Sequence, residues 1–200
     1  MLEEWRKIAS DLDMILETES GTRISMEEWN NPWNLESIMQ FEEKSGIHLP
    51  QEFKEFSEII GPGLLGARIH FWLPDIQTLS MSKTWSDSVT KMINNFPSKS
   101  PKADKRLIEL VNNVFIFSSV DGPYLGFFDL DTYDVGDKGC DIIWSSTEIF
   151  DNDEWHLVGR SFLSFFSEYF LGNRLIELMS DDYTNGDFYI DRTFFPVISS

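Results

Sequence analysis

Two short runs, Val114-Phe115-Ile116-Phe117 and Tyr124-Leu125-Gly126-Phe127-Phe128, flank an Asp121-Gly122 pair. Asp-Gly supplies the positive backbone angles of a tight turn, so the segment predicts an antiparallel hairpin. Successive side chains of a strand point to opposite faces, and here apolar residues occupy both parities of each run. Neither face can therefore be left to water. The hairpin is expected at the centre of its sheet, covered at least partly on both sides. Ile69 to Leu73, Ile142-Ile143-Trp144 and Trp155-His156-Leu157-Val158 predict further strands.

Helical spacing surrounds this sheet. Leu2, Trp5, Ile8, Leu12, Ile15 and Leu16 fall three or four apart and predict one amphipathic helix that Gly21 would end. Asn34 stands where a helix cap belongs, ahead of Leu35, Ile38 and Met39, and Gly46 follows. Pro50 opens a third helix with Phe53, Phe56, Ile59 and Ile60 on one face, stopped by Gly61 before Pro62 and Gly63. Pro74-Asp75 predicts a short helix, and Trp85, Val89, Met92, Ile93 and Phe96 predict another. Ser98 to Arg106, with Lys99, Lys102, Lys105 and Arg106, reads as a basic loop. Ser161 caps a helix bearing Phe162, Phe165, Phe166, Tyr169 and Phe170, with Gly172 at its end or bend. Helices, then sheet, then helix predict a single α+β domain.

Composition narrows the function classes. The 200 residues carry a formal charge of -18, with 34 acidic against 16 basic residues. Such a chain is a poor partner for nucleic acid or an anionic membrane surface. Yet 42% of its residues are hydrophobic and 14% aromatic, which places the charge on a folded body. One cysteine, Cys140, rules out an internal disulfide and multi-cysteine metal sites. The opening Met-Leu-Glu-Glu-Trp carries acids where a secretory leader needs bases, so a cytoplasmic protein is expected.

Leu49-Pro50, Phe53, Phe56 and Gly61-Pro62-Gly63 together resemble the opening motif of the SUKH superfamily, the Smi/Knr-like proteins. Phe117-Ser118, Asp121-Gly122 and Gly126-Phe127-Phe128-Asp129 resemble its central hairpin, and Ser161-Phe162-Leu163 with Phe165-Phe166 resembles its closing helix. The resemblance runs from about Asn34 to Leu171. It implies an α+β fold with a single, mainly antiparallel sheet of about four to six strands backed by helices. It divides the chain into an N-terminal segment 1–33, a SUKH-like domain 34–172 and an extension 173–200 packed on it. It also implies a bacterial immunity protein, of the kind paired with polymorphic toxins in toxin-antitoxin systems, that binds and occludes a cognate toxin domain. The alternative is a regulatory or scaffold module on the same fold with no toxin. Family motifs here are glycines, prolines and core aromatics, so no catalytic residue carries over, and no enzyme activity is expected.

From Asp121 to Gly159 stand ten acids against one base, Lys138. Asp129, Asp131, Asp134 and Asp137 are the candidates for steering a basic, nuclease-type toxin, and Tyr133, Trp144 and Trp155 are the candidate aromatic anchors. A solvated acidic face that keeps the protein soluble accounts for the same acids. Trp29 and Trp33 beside turns are further aromatic candidates. The aspartate spacing does not fit an EF-hand, whose sixth position needs glycine and whose twelfth needs glutamate; Asp134 and Cys140 stand there. His48, His70 and His156 lack the spacing of a helical zinc pair. No cofactor, metal or catalytic set is expected, and the protein is expected to be a monomer or weak homodimer.

Overall fold

A computed structural model describes residues 2–16, 22–23, 34–66, 68–98, 100–120, 124–146, 155–179 and 190–196. The elements in chain order begin with α1 (Leu2–Ser10), β1 (Asp13–Leu16), β2 (Thr22–Arg23), α2 (Leu35–Ser45) and α3 (Gln51–Ile59). Next come β3 (Gly63–Leu65), β4 (Ile69–Phe71), α4 (Ile76–Asn95) and α5 (Pro101–Val111). The second half holds β5 (Val114–Val120), β6 (Tyr124–Asp134), β7 (Gly139–Ser146) and β8 (Trp155–Gly159). A helical turn α6 (Phe162–Phe165) runs on as π-helix over Phe166–Leu171, a 3-10 helix spans Arg174–Leu178, and β9 (Thr193–Pro196) closes the described chain.

Among the described residues the strands form one sheet of nine, ordered β2-β1-β9-β3-β4-β5-β6-β7-β8, larger than the four to six expected. Among the described strands only β1 and β9 pair in parallel, and every other neighbouring pair is antiparallel. The extra strands are short pieces of two to four residues that carry no long apolar run. The parity of β5 decides the layering. Phe115 and Phe117 enter a core with Trp5, Phe41, Phe53, Phe56 and Phe162, from α1, α2, α3 and α6. Val114 and Ile116 face the other way, joining Leu125, Phe127 and Ile143 beneath Met81 and Trp85 of α4 and Leu110 of α5. Both faces of the central hairpin are covered, as its sequence requires.

A bulge between Ile116 and Ser118 interrupts the β5–β6 register. The Ile116 N–H donates to Ser82 Oγ of α4 at 3.0 Å, and Ser82 Oγ donates on to the Thr78 carbonyl at 2.8 Å, so α4 satisfies the backbone there. Gly126 lies opposite, where a Cβ would stand 2.6 Å from Ser118 Oγ and 2.7 Å from the Phe117 ring.

Three expectations need correction. The first helix stops at Ser10, and Asp13–Leu16 is strand, because Asp13 and Met14 pair with Thr193 and Phe194 from the far end of the chain. The basic stretch is largely helix: Ser100 Oγ accepts from Ala103 N, Pro101 takes the first helical position, and Leu107 and Val111 bury against Val89 and Ile93 of α4. The two helices expected after Pro74 are one helix of 20 residues, capped by Asp75 Oδ1 at 2.7 Å from Thr78 N. Asn34 caps α2 as expected, accepting from Ser37 N at 2.9 Å. Trp29, Trp33 and the Asp121-Gly122 turn lie outside the described residues.

The Leu-Pro motif has a mechanical explanation. Leu49 is buried, and its N–H donates to Glu42 Oε1 at 2.7 Å while Lys54 Nζ pairs with the same carboxylate at 3.1 Å. One turn away, Glu52 Oε2 accepts from Ser161 Oγ and from Leu163 N at 2.9 and 2.8 Å. Helices α2, α3 and α6 are thereby tied together by two carboxylates.

Candidate partner-binding face

β6 outruns β5, pairing with it only as far as Asp129, and continues with β7 to a turn over Val135–Lys138. Asp129 and Asp141 are direct partners across β6 and β7, and Asp131 follows Asp129 at the strand period. Strand geometry thus puts three carboxylates in the wall of one cleft. That cleft, of about 390 Å³, is lined by Arg106, Glu109 and Leu110 of α5, the three aspartates, Ile143, Trp155 and Leu157. Leu157 on β8 is 58% exposed, and the Arg106 guanidinium lies 5.2 Å from the centroid of the Trp155 ring.

The carboxylates differ in what they hold. Arg160 Nη1 donates to Asp141 Oδ1 at 2.7 Å and Nε donates to Asp137 Oδ2 at 3.1 Å. Its Nη2 reaches the Thr132 and Gly139 carbonyls at 3.1 and 2.9 Å. The guanidinium hydrogen bond holds the Asp137 carboxyl below its usual range, helped by the Gly139 N–H. Asp131 Oδ1 accepts from Asn113 Nδ2 at 2.7 Å, and Asp134 Oδ1 accepts from the Gly136 N–H at 2.6 Å. The Asp129 carboxylate accepts only the Asp131 N–H, at 3.1 Å, among the described residues. Burial pushes the Asp129 carboxyl above its ordinary value against that hydrogen bond, and the charges of Asp131 and Asp141 add to the rise.

The seven candidate residues do not gather at one point. Asp129, Asp131 and Trp155 share the cleft; Asp134 ends β6 at the hairpin turn and Asp137 lies within that turn. Tyr133 packs against the opposite core, its ring 5.3 Å from His48, and burial raises its phenol above the usual range. Trp144 is 0% exposed, enclosed by Tyr124, Phe165 and Phe170, so it is a core residue and not a surface anchor. Its strand is covered on both faces, which a three-residue apolar run does not reveal. Nothing in the sequence alone marks Arg106, Asp141, Leu157 or Arg160 as part of this face. Placing Arg106 on a helix from Ser100-Pro101 is the signal that would have brought it to the sheet.

No catalytic geometry accompanies these groups among the described residues. Burial pushes the Cys140 thiol up to about 12, which disfavours its thiolate. Among the described residues, no three His, Cys, Asp or Glu side chains group as a metal site. A second cleft of about 400 Å³ lies between β4 and the start of α4, lined by His70, Trp72, Leu73 and Met81. Its one carboxylate, Asp75, is already committed to capping α4. No helix among the described residues is long and apolar enough to cross a membrane.

The described chain is thus a mainly antiparallel sheet clad by helices on both faces, with a charged and aromatic cleft beside one edge. The model of the SMI1 / KNR4 family (SUKH-1) matches residues 32–168, and the chain belongs to that family. Proteins of this family are typically non-catalytic immunity or regulatory proteins. Searches of the curated proteins and of the solved structures returned no match.

Proposed function

We propose that the chain is a non-enzymatic bacterial immunity protein that works in the cytoplasm by binding a cognate toxin domain and occluding its active cleft. Family membership over residues 32–168 supports the class of function. The observation that carries the reading further is the cleft of β6, β7 and β8, where three carboxylates stand beside Trp155 and the exposed Leu157. Aromatic and aliphatic surface supplies binding energy at an interface, and a carboxylate cluster selects a basic partner. Such a partner is a nuclease-type domain, whose own substrate is polyanionic.

The test is co-expression with a candidate toxin domain, sought in the reading frame adjacent to this chain's gene. Growth should be rescued by the immunity chain, and purified toxin should lose activity at one equivalent. Undiminished toxicity at matched expression would reject the toxin reading. Stable binding without loss of toxin activity would favour a scaffold.

A further inference from the structure

We infer that the cleft between α5 and the β6–β8 face receives an arginine side chain of the protein partner, its guanidinium stacked on Trp155 and hydrogen-bonded to the Asp129 carboxylate. This deepens the reading above and rests on it for the identity of the partner.

The cleft combines two surfaces that one side chain must satisfy together. Trp155, Leu110, Ile143 and Leu157 offer an aromatic plane and aliphatic walls, while Asp129, Asp131 and Asp141 offer acceptors. A guanidinium is planar and weakly hydrated, so it lies on an aromatic face while its edge donates to carboxylates. A compact, strongly hydrated ammonium does this less well.

Charge complementarity identifies the carboxylate. Asp141 already holds Arg160, and Asp131 has Asn113. Asp129 stands between them, half-buried, with a backbone N–H and no cation among the described residues. A carboxylate kept partly dry beside two others gains more than an exposed one when a cation arrives.

The chain itself shows which group fits the aromatic wall. Arg106 lies over Trp155 at 5.2 Å, and among the described residues it makes no ion pair with the neighbouring carboxylates. Arg106 therefore holds the stacking position without using the acceptors. An incoming arginine takes both, and Arg106 competes with it.

The probe is the peptide acetyl-Gly-Arg-Gly-amide, with lysine and citrulline versions as controls, titrated into the full-length nitrogen-15 protein. The readout is the Trp155 indole N–H resonance, assigned with Trp155→Phe. The arginine peptide should give a saturable shift, the lysine peptide about five-fold weaker binding, and neutral citrulline no saturation. Asp129→Asn should weaken arginine binding about five-fold without lowering the melting temperature, and Arg106→Ala should strengthen it. Equal binding of all three peptides, absence of a shift with the arginine peptide, or unchanged affinity in Asp129→Asn would overturn the inference. The assay contains no toxin, so its failure removes the arginine slot and leaves neutralisation to be judged separately. Normal peptide binding with failed neutralisation would instead remove the toxin reading alone.

Discussion

Asp129 and Arg160 act in opposite directions on the stability of the β6–β7 hairpin. Asp129 faces Asp141 directly across the strands and is raised above 3.8 mainly by burial, so the folded chain binds its proton more readily than the unfolded chain does. The contribution of this group to stability is therefore lost as pH rises from the unfolded value through the raised folded one. Asp129→Asn, whose amide oxygen can still accept the Asp131 N–H, should stabilise the fold by about 0.5 kcal/mol at neutral pH, after discounting for solvent screening. The gain should shrink as pH falls through the raised folded value, where the wild-type carboxyl takes up its own proton, toward the ordinary 3.8. Urea titrations at several pH values measure this; a loss of stability at neutral pH would mean that Asp129 supports the fold. Arg160 joins Asp137, Asp141 and two carbonyls, a fork that no ammonium reproduces. Arg160→Lys should cost about 1–2 kcal/mol in the same titrations, whereas Lys105→Ala, which breaks an exposed pair with Glu109, should change little.

Among elements, the β5–β6 hairpin shows how tightly the two cores are joined. Gly126→Ala would drive a methyl into Phe117 and Ser118 across the bulge and should destabilise by about 1–3 kcal/mol, read as a lower melting temperature. Trp144→Ala, from the buried part of β7, should cost about 3–5 kcal/mol, while Trp155→Ala on the edge strand should cost much less. Equal losses at the two tryptophans would contradict their different burial. The hairpin, its burial on both faces, the α2 cap at Asn34 and the aromatic helix after Ser161 were legible because each rests on local chemistry: strand parity, a capping side chain, helical spacing. What was not legible depends on distant partners. Asp13–Leu16 has helical spacing and becomes strand by pairing with β2 and with β9, the latter some 180 residues later in the chain. α5 was obscured by its charges, although Ser100-Pro101 announces it. The acidic residues were visible as a cluster, but their division was not, because Arg160 draws Asp137 and Asp141 aside only after the hairpin has formed.

For the whole molecule, a formal charge of -18 acts at long range and the cleft acts on contact. Charge governs encounter, screened over about 8 Å at physiological salt, while desolvated aromatic and aliphatic contacts govern residence. Asp137 belongs to the Arg160 clamp, so Asp129, Asp131 and Asp134 are the residues to neutralise without loosening the hairpin. The most direct measurement is the association and dissociation rate of the chain with a toxin domain that it neutralises, at low and physiological salt. Asp129→Asn/Asp131→Asn/Asp134→Asn should slow association several-fold at low salt and flatten its salt dependence. Trp155→Ala/Leu157→Ala should leave association nearly unchanged and speed dissociation at least ten-fold, roughly the effect of losing one anchoring residue. Wild-type rates in both variants, with neutralisation intact, would contradict the placement of the partner on the β6–β8 face.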